Sequence, residues 1–147
     1  MKKLLACIAL LFLGTTFYAR NEPREMKNEA IVRAIFETFN QHQWQKMASF
    51  YDEQAQFLDP SFGPGYVSRS RQQTVEHYRE LEKMFPDIKD ELTDVIASGN
   101  KVVVQFLSTG TAPDGTKWQL PICAVFTLKD GEIVVDATYY DNATPGN

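Results

Sequence analysis

The sequence predicts an α+β domain in which three helices cover one face of a curved antiparallel sheet. Apolar residues recur at steps of three and four in the first part of the 147-residue chain, and after Pro86 the period changes to two. Three turn sequences then separate β-rich runs in the second part. Helices followed by a run of strands are the order expected of an α+β domain.

The first helix is predicted from Met26 onward, because apolar residues fall on one face with charged residues between them. That face contains Ile31, Ala34, Ile35, Thr38 and Phe39. Polar residues 40–43 end the helix, and a short second helix follows. Its inward positions are Trp44, Met47, Ala48 and Tyr51.

A short strand over 55–58 is predicted to lead into Asp59-Pro60. Prolines and glycines at 60, 63, 64 and 65 argue against regular structure in the next stretch. Ser70 and Gln73 have the spacing of a capping box and begin the third helix. Pro86 ends that helix, because the residue before a proline avoids helical geometry. Its inward stripe contains Thr74, Tyr78, Leu81 and Phe85.

Four strands joined by hairpin turns form the rest of the predicted sheet, an antiparallel meander. They span residues 88–97, 101–109, 116–128 and 132–140. The third strand is apolar on both alternating rows, so both of its faces are expected to be buried. Helices cover one face, and we expect a second copy of the chain to cover the other, giving a homodimer through the sheet.

Residues 1–19 are typical of a secretory signal peptide. Lys2 and Lys3 precede an apolar run over 4–13, which is too short to span a membrane as a helix. The alternatives are a buried N-terminal helix and a lipidation site at Cys7. We expect export to the periplasm or outside the cell, a tether over 20–25, a domain over 26–141 and a tail over 142–147.

The mature chain is expected to be acidic and without a disulfide. Removing Lys2 and Lys3 changes the formal net charge from −4 to −6, which argues against partners such as nucleic acid or an anionic membrane. Cys7 leaves with the leader, so Cys123 has no partner cysteine. The two histidines have no metal-ligand spacing, and no nucleotide or nucleophile-elbow motif occurs. We therefore expect neither a metal nor a cofactor.

Four segments of the sequence resemble the nuclear transport factor 2-like superfamily, in its ketosteroid isomerase and SnoaL-like polyketide cyclase group. The resemblance covers residues 26–141. It implies a cystatin-like cone, with a curved sheet wrapped around the helices and an apolar pocket at the open end for a small apolar or mixed-polarity ligand. The segments are Asn40 to Pro60, Phe85-Pro86-Asp87 with Val95 to Asn100, and Phe126 to Ile133.

Asp59 matches the general base of the isomerases, which moves a proton on carbon beside a carbonyl. Such a base needs a carboxylate in an apolar setting. The structural alternative is that Asp59-Pro60 opens a turn, with the carboxylate bound to nearby backbone N–H groups. By the same resemblance, Ile35 and Cys123 occupy the positions of the two oxyanion donors. Neither donates a strong hydrogen bond, which argues against steroid isomerisation by the family mechanism.

His77, at the edge of the third helix's inward stripe, is the second catalytic candidate, because a histidine and an aspartate can form an acid–base pair. Its structural alternative is a half-exposed helix residue. Strand alternation should point one of Tyr139 and Tyr140 inward without showing which, and we include Tyr139 among the candidates for substrate binding. Asp136 is expected to pair with Lys101 or to lie at the dimer face. The residues assigned to substrate binding are Ile35, Phe39, Phe57, Tyr78, Leu81, Trp118, Cys123 and Tyr139.

Three functions remain open from the sequence. The first is an exported small-molecule-binding domain with an apolar pocket. The second is a cofactor-independent enzyme of the isomerase or cyclase type, with Asp59 as base. The third is a dimeric interaction module without catalysis.

Overall fold

Three helices lie on one face of the sheet in the computed structural model, which describes residues 23–141. Helix α1 spans Arg24–Asn40, α2 spans Trp44–Ala48 and α3 spans Arg71–Met84. The predicted signal peptide, most of the tether and the tail lie outside the described residues. Within 23–141, no helix is long and apolar enough to cross a membrane.

The capping box predicted at the start of α3 is confirmed. The Ser70 hydroxyl accepts a hydrogen bond from the Gln73 backbone N–H, and the Gln73 side chain accepts one from the Ser70 backbone N–H. The second helix is shorter than predicted, because Tyr51 begins a strand. Tyr51 and Trp44 have helical spacing only because both side chains face the same core, on either side of the turn that joins α2 to β1.

Six strands form one sheet in the order β2-β1-β6-β5-β4-β3. The strands are β1 Tyr51–Leu58, β2 Val67–Ser70, β3 Lys89–Ser98, β4 Lys101–Thr111, β5 Lys117–Lys129 and β6 Glu132–Tyr139. The α+β fold class is confirmed. The sheet is mixed rather than wholly antiparallel, because β1 runs parallel to β6.

A 3₁₀ turn over Pro60–Phe62 lies where the prolines and glycines suggested only loop, and the edge strand β2 follows this stretch. Pro60 is compatible with the first position of such a turn, since proline has the required backbone angle and no N–H is needed there. Strand β2 then pairs with β1 in an antiparallel hairpin.

The core lies between α1 and the inner face of β4 and β5. Phe36 contacts the rings of Phe106 and Phe126 edge-on, with centroids 4.9 and 6.4 Å apart. Trp44 attaches α2 to α3, because its indole stacks on Tyr78 and its N–H donates to Glu82 at 2.6 Å. A cavity lies between α1, α3 and the inner face of the sheet.

Candidate functional site

The cavity has a volume of about 610 Å³ and mainly apolar walls. On the sheet side, every second residue of β5 faces it, as expected for strand alternation. On the helix side, α1 and α3 supply aliphatic and aromatic side chains. The apolar lining includes Ile35, Phe39, Leu81, Leu120, Ile122, Ala124 and Phe126.

Asp59 and Tyr140 meet on one side of this cavity. The parallel pairing of β1 and β6 brings the carboxyl ends of the two strands together, with Leu58 opposite Ala137. The Tyr140 hydroxyl donates to Asp59 Oδ1 at 2.9 Å. Burial and the hydrogen bond to Asp59 raise the pKa of Tyr140 to about 12, so this hydroxyl stays protonated at neutral pH.

The carboxylate of Asp59 also opens the turn that follows it, as the structural alternative predicted. The Ser61 backbone N–H donates to Oδ1 at 2.7 Å, and Asp59 caps the 3₁₀ turn. Both hydrogen bonds reach Oδ1, and within residues 23–141 Oδ2 accepts none. The turn therefore orients the carboxyl group and leaves one oxygen available to a ligand.

His77 lies on the same side of the cavity, on α3. Its ring contacts Phe62 and Tyr78 edge-on, with centroids 4.7 and 5.3 Å apart. Burial lowers the pKa of His77, the nearby Arg69 lowers it further, and Asp59 opposes both effects. The imidazole is therefore largely neutral at pH 7. No hydrogen bond joins His77 to Asp59 among the described residues, so they share a cavity without forming a bonded pair.

Tyr78 lies on the cavity wall among three carboxyl groups. Burial raises the pKa of Tyr78 well above its usual value, and the negative charges of Asp136, Asp59 and Asp90 raise it further. Its hydroxyl consequently remains a hydrogen-bond donor throughout the physiological pH range.

Asp136 is a buried carboxyl group of the cavity wall that the sequence did not assign to the site. Tyr51 Oη donates to its Oδ2 at 2.8 Å, and Thr138 Oγ1 donates to its Oδ1 at 3.0 Å. Burial raises the pKa of Asp136 to about 6, although the two hydrogen bonds lower it. The predicted pairing with Lys101 is wrong, because Lys101 Nζ donates to Thr127. The sequence offered one indication that Asp136 belongs to the site: it lies on the same alternating row as Thr138 and Tyr140, which also line the cavity.

A second polar group lies on β3, β4 and β5, across the sheet from Asp59. Asp90, Ser108 and Trp118 all line the cavity there. Burial raises the pKa of Asp90 to about 7, and the Ser108 hydroxyl partly offsets this effect. The Asn40 amide bonds to both backbone groups of Asp90 at 2.8 Å, which ties the strand to the end of α1. The sequence offered one indication that Asp90 faces inward: it falls on the same alternating row as the apolar residues Ile88 and Leu92.

Seven of the ten residues assigned to the site from the sequence line the cavity. They are Ile35, Phe39, Asp59, His77, Tyr78, Leu81 and Trp118. Their placement agrees with the predicted pocket, and their roles in binding or catalysis stay predictions.

The other three lie elsewhere, and each placement is a correction. Tyr139 is 51% exposed and Tyr140 points inward, because neighbouring strand residues face opposite sides. Cys123 faces away from the cavity for the same reason, and Ala124 takes the inner face. Phe57 is buried behind the lining, stacked on Tyr51 with centroids 5.2 Å apart. Ile35 and Ala124 line the cavity, and neither side chain can donate a hydrogen bond.

Among residues 23–141, no three histidine, cysteine or carboxylate side chains form a group able to hold a metal ion. The cavity instead offers hydroxyl, imidazole, indole and carboxyl groups on apolar walls. Such a set can bind an uncharged oxygenated molecule and can exchange protons with it.

Solved structures with the same fold include several related proteins. One is SalBIII, an epoxide hydrolase/cyclase-like enzyme with a role in pyran ring formation in the polyether salinomycin. It is 22% identical to this chain over 81% of this chain and 94% of its own, with a TM-score of 0.71. A SnoaL-like protein of the polyketide cyclase type from Jannaschia sp. CCS1 has 22% identity over 81% and 88%, with a TM-score of 0.68. A protein with a ketosteroid isomerase-like fold from Catenulispora acidiphila, solved with trimethylamine, has 17% identity over 76% and 85%, with a TM-score of 0.69.

These likenesses concern the fold, since the identities are low. A comparison with curated protein sequences finds no match. The sequence profile of the SnoaL-like domain matches residues 32–135, which is most of the chain and nearly all of the described domain. The chain therefore belongs to the SnoaL-like domain family.

Proposed function

We propose that this protein binds a small, mainly apolar molecule carrying an oxygen function in the cavity between its helices and sheet. The observation that carries the proposal is a cavity of about 610 Å³ whose apolar walls are interrupted by oriented polar groups. Pockets of this size suit drug-sized ligands, and a few placed polar groups in an apolar lining select their orientation.

Binding is tested with a naphthyl methyl ketone as probe, measured by calorimetry or by quenching of tryptophan fluorescence. Ile122→Trp fills the cavity from its inner face and should weaken binding at least tenfold. Gln119→Trp places the same side chain on the exposed face of the same strand and should leave the affinity unchanged. Equal affinities in the two variants would contradict binding in this cavity.

Proton transfer by Asp59 is the second candidate function. Its support is the carboxyl group held through Oδ1 by Ser61 and Tyr140, with Oδ2 left for a substrate. Oδ2 would take a proton from carbon beside a carbonyl, and the C–H electron pair would form the enolate as the carbonyl pair moves onto oxygen. The Tyr78 hydroxyl and the neutral His77 imidazole are the nearby donors for that oxygen.

Deuterium incorporation into the methyl group of the ketone, followed by NMR in deuterium oxide, tests this step. Asp59→Asn should reduce the protein-dependent exchange at least a hundredfold while the fold stays intact by circular dichroism. Tyr139→Phe, which alters an exposed tyrosine at the end of β6, should exchange normally. Exchange that continues in Asp59→Asn would refute the role of Asp59 as base, and unfolding of the variant would make the carboxylate a structural cap.

We further propose a homodimer through the outer face of the sheet. Val103 pairs with Val125 and Leu107 with Pro121 on that face, which forms an apolar patch in the single chain. Light scattering should give the mass of a dimer, and Val125→Lys should give a monomer. Gln72→Lys on the exposed side of α3 is the matched control. A monomer in the unmodified protein would contradict the proposal.

Export is proposed from the leader pattern at residues 1–19. Sequencing the N-terminus of protein recovered from its native host should find it near residue 20. An intact Met1 in the recovered protein would rule out cleavage.

A further inference from the structure

A buried carboxyl oxygen without a partner marks the far side of the cavity. Asp90 is 8% exposed, and its Oδ1 has no hydrogen-bond partner among residues 23–141. Buried polar groups in native proteins nearly always have a partner, and an exception calls for an explanation, such as local strain, a functional role, or binding of an ion or water. The raised pKa of Asp90, about 7, reflects the same desolvation.

The indole N–H of Trp118 is a second buried group without a partner in the described part of the chain. Its position is held from two sides. Phe85 contacts the indole edge-on, with centroids 5.1 Å apart. On the sheet, the indole lies against Gly110, where a Cβ would come within 2.7 Å of the ring. The donor is therefore fixed by packing and cannot easily turn towards another acceptor.

The register of the sheet places these groups on one patch of the cavity wall. Asp90 pairs with Ser108, Ser108 pairs with Leu120, and Trp118 pairs with Gly110. Gly110 is two residues beyond Ser108 on the same face, a separation of about 7 Å along the strand. Asp59 directly follows β1, which three other strands separate from β3, so this patch is distinct from the Asp59 side.

We propose that Asp90, Ser108 and Trp118 form a second subsite of this cavity, which binds a hydroxyl group on the end of the ligand remote from Asp59. This inference rests on the ligand binding proposed above, and it adds that the ligand has a hydroxyl group at the end remote from Asp59. A hydroxyl can donate to Asp90 and accept from Trp118, which only donates. An ammonium group has no acceptor for the indole, and a ligand carboxylate would be repelled by the ionised form of Asp90.

The experiment compares two probes, the naphthyl methyl ketone and the same ketone with a hydroxyl group on its far ring. The unmodified protein should bind the hydroxyketone about fivefold more tightly, the effect of about one net hydrogen bond. Asp90→Ala and Trp118→Phe should each reduce this ratio towards one. Glu91→Gln, an exposed neighbour on β3, and Trp44→Phe, whose indole bonds to Glu82 outside the cavity, are matched controls that should keep the ratio.

The outcomes separate this inference from the proposal on which it rests. Equal affinity of the two probes in the unmodified protein refutes the hydroxyl subsite and leaves ligand binding standing. A preference that survives in both Asp90→Ala and Trp118→Phe also refutes it, because the hydroxyl must then bind elsewhere. Tighter binding of the ketone with an aminomethyl group on its far ring, which is protonated at neutral pH, than of the hydroxyketone would make the patch a cation site instead. If neither ketone binds, the inference falls together with the proposed function.

Folding of each variant is checked by circular dichroism and by urea unfolding. Trp118→Phe keeps an aromatic ring against Gly110 and Phe85, so it carries the test if Asp90→Ala does not fold. Loss of the preference in Trp118→Phe, with unchanged affinity for the plain ketone, is the result that a purely structural role of Trp118 would not produce.

Discussion

Replacing Asp90 with asparagine should change how the stability of the protein depends on pH. Burial raises the pKa of this carboxyl group from its ordinary 3.8 to about 7. The folded state therefore binds a proton that the unfolded state has already released above about pH 5. Stability from this group is present at low pH and is lost as the pH rises through about 7.

The expected size follows from about 1.4 kcal/mol for each unit of pKa difference. Between about pH 5 and pH 8, the unmodified protein should lose roughly 3 kcal/mol of unfolding free energy through Asp90. Asp90→Asn keeps a neutral polar side chain of the same size and should lack this loss. The variant should consequently be similar in stability at pH 5 and about 3 kcal/mol more stable than the unmodified protein at pH 8.

Urea unfolding at the two pH values measures the effect, with Glu91→Gln on the same strand as control. Because the pKa of His77 is lowered, the folded state binds fewer protons on this residue than the unfolded state does below about pH 6.5. The contribution of His77 to stability therefore rises with pH, opposite to that of Asp90. That contribution is present in both proteins and cancels when the two pH dependences are subtracted. An identical loss of stability in Asp90→Asn and in the unmodified protein would refute a buried, desolvated carboxyl at this position.

Three further predictions concern local contacts and are measured by urea unfolding. Ser70→Ala removes the cap of α3 and should cost about 1 kcal/mol, and an unchanged midpoint would show that the cap is replaced by solvent. Gly110→Ala should cost about 1–3 kcal/mol through its clash with the indole ring, and this cost should vanish in a Trp118→Ala background. Tyr51→Phe removes a hydrogen-bond donor to the carboxyl group of Asp136 and should therefore raise the pKa of Asp136 above about 6. The substitution should lower the free energy of unfolding by about 1–3 kcal/mol, and by more at pH 8 than at pH 5. An equal loss of stability at both pH values would contradict this.

Features decided by neighbouring residues were predictable from the sequence. The capping box at Ser70 and Gln73 depends on contacts three residues apart, and the hairpins between β3 and β6 depend on short turn sequences. Tyr51 was assigned to the wrong element, because a residue that faces the core can match helical spacing by position alone.

The choice of inward face was harder to predict, because it depends on where each strand begins and on its bulges. Tyr139 and Tyr140 are adjacent and chemically alike, and only the pairing of β6 shows that Tyr140 turns inward. The same alternation takes Cys123 away from the cavity and puts Ala124 there. Asp90 and Asp136 look like ordinary strand residues until the opposite wall of the cavity buries them.

Local periodicity, turn sequences and a family resemblance are enough to predict the class of fold, the helices, most strands and the candidacy of Asp59. The surroundings of that carboxyl group depend instead on contacts between distant parts of the chain. The parallel pairing of β1 and β6 joins Asp59 to Tyr140, 81 residues later in the chain. No local pattern records such a contact, since it depends on how distant strands pair after the intervening sheet has formed.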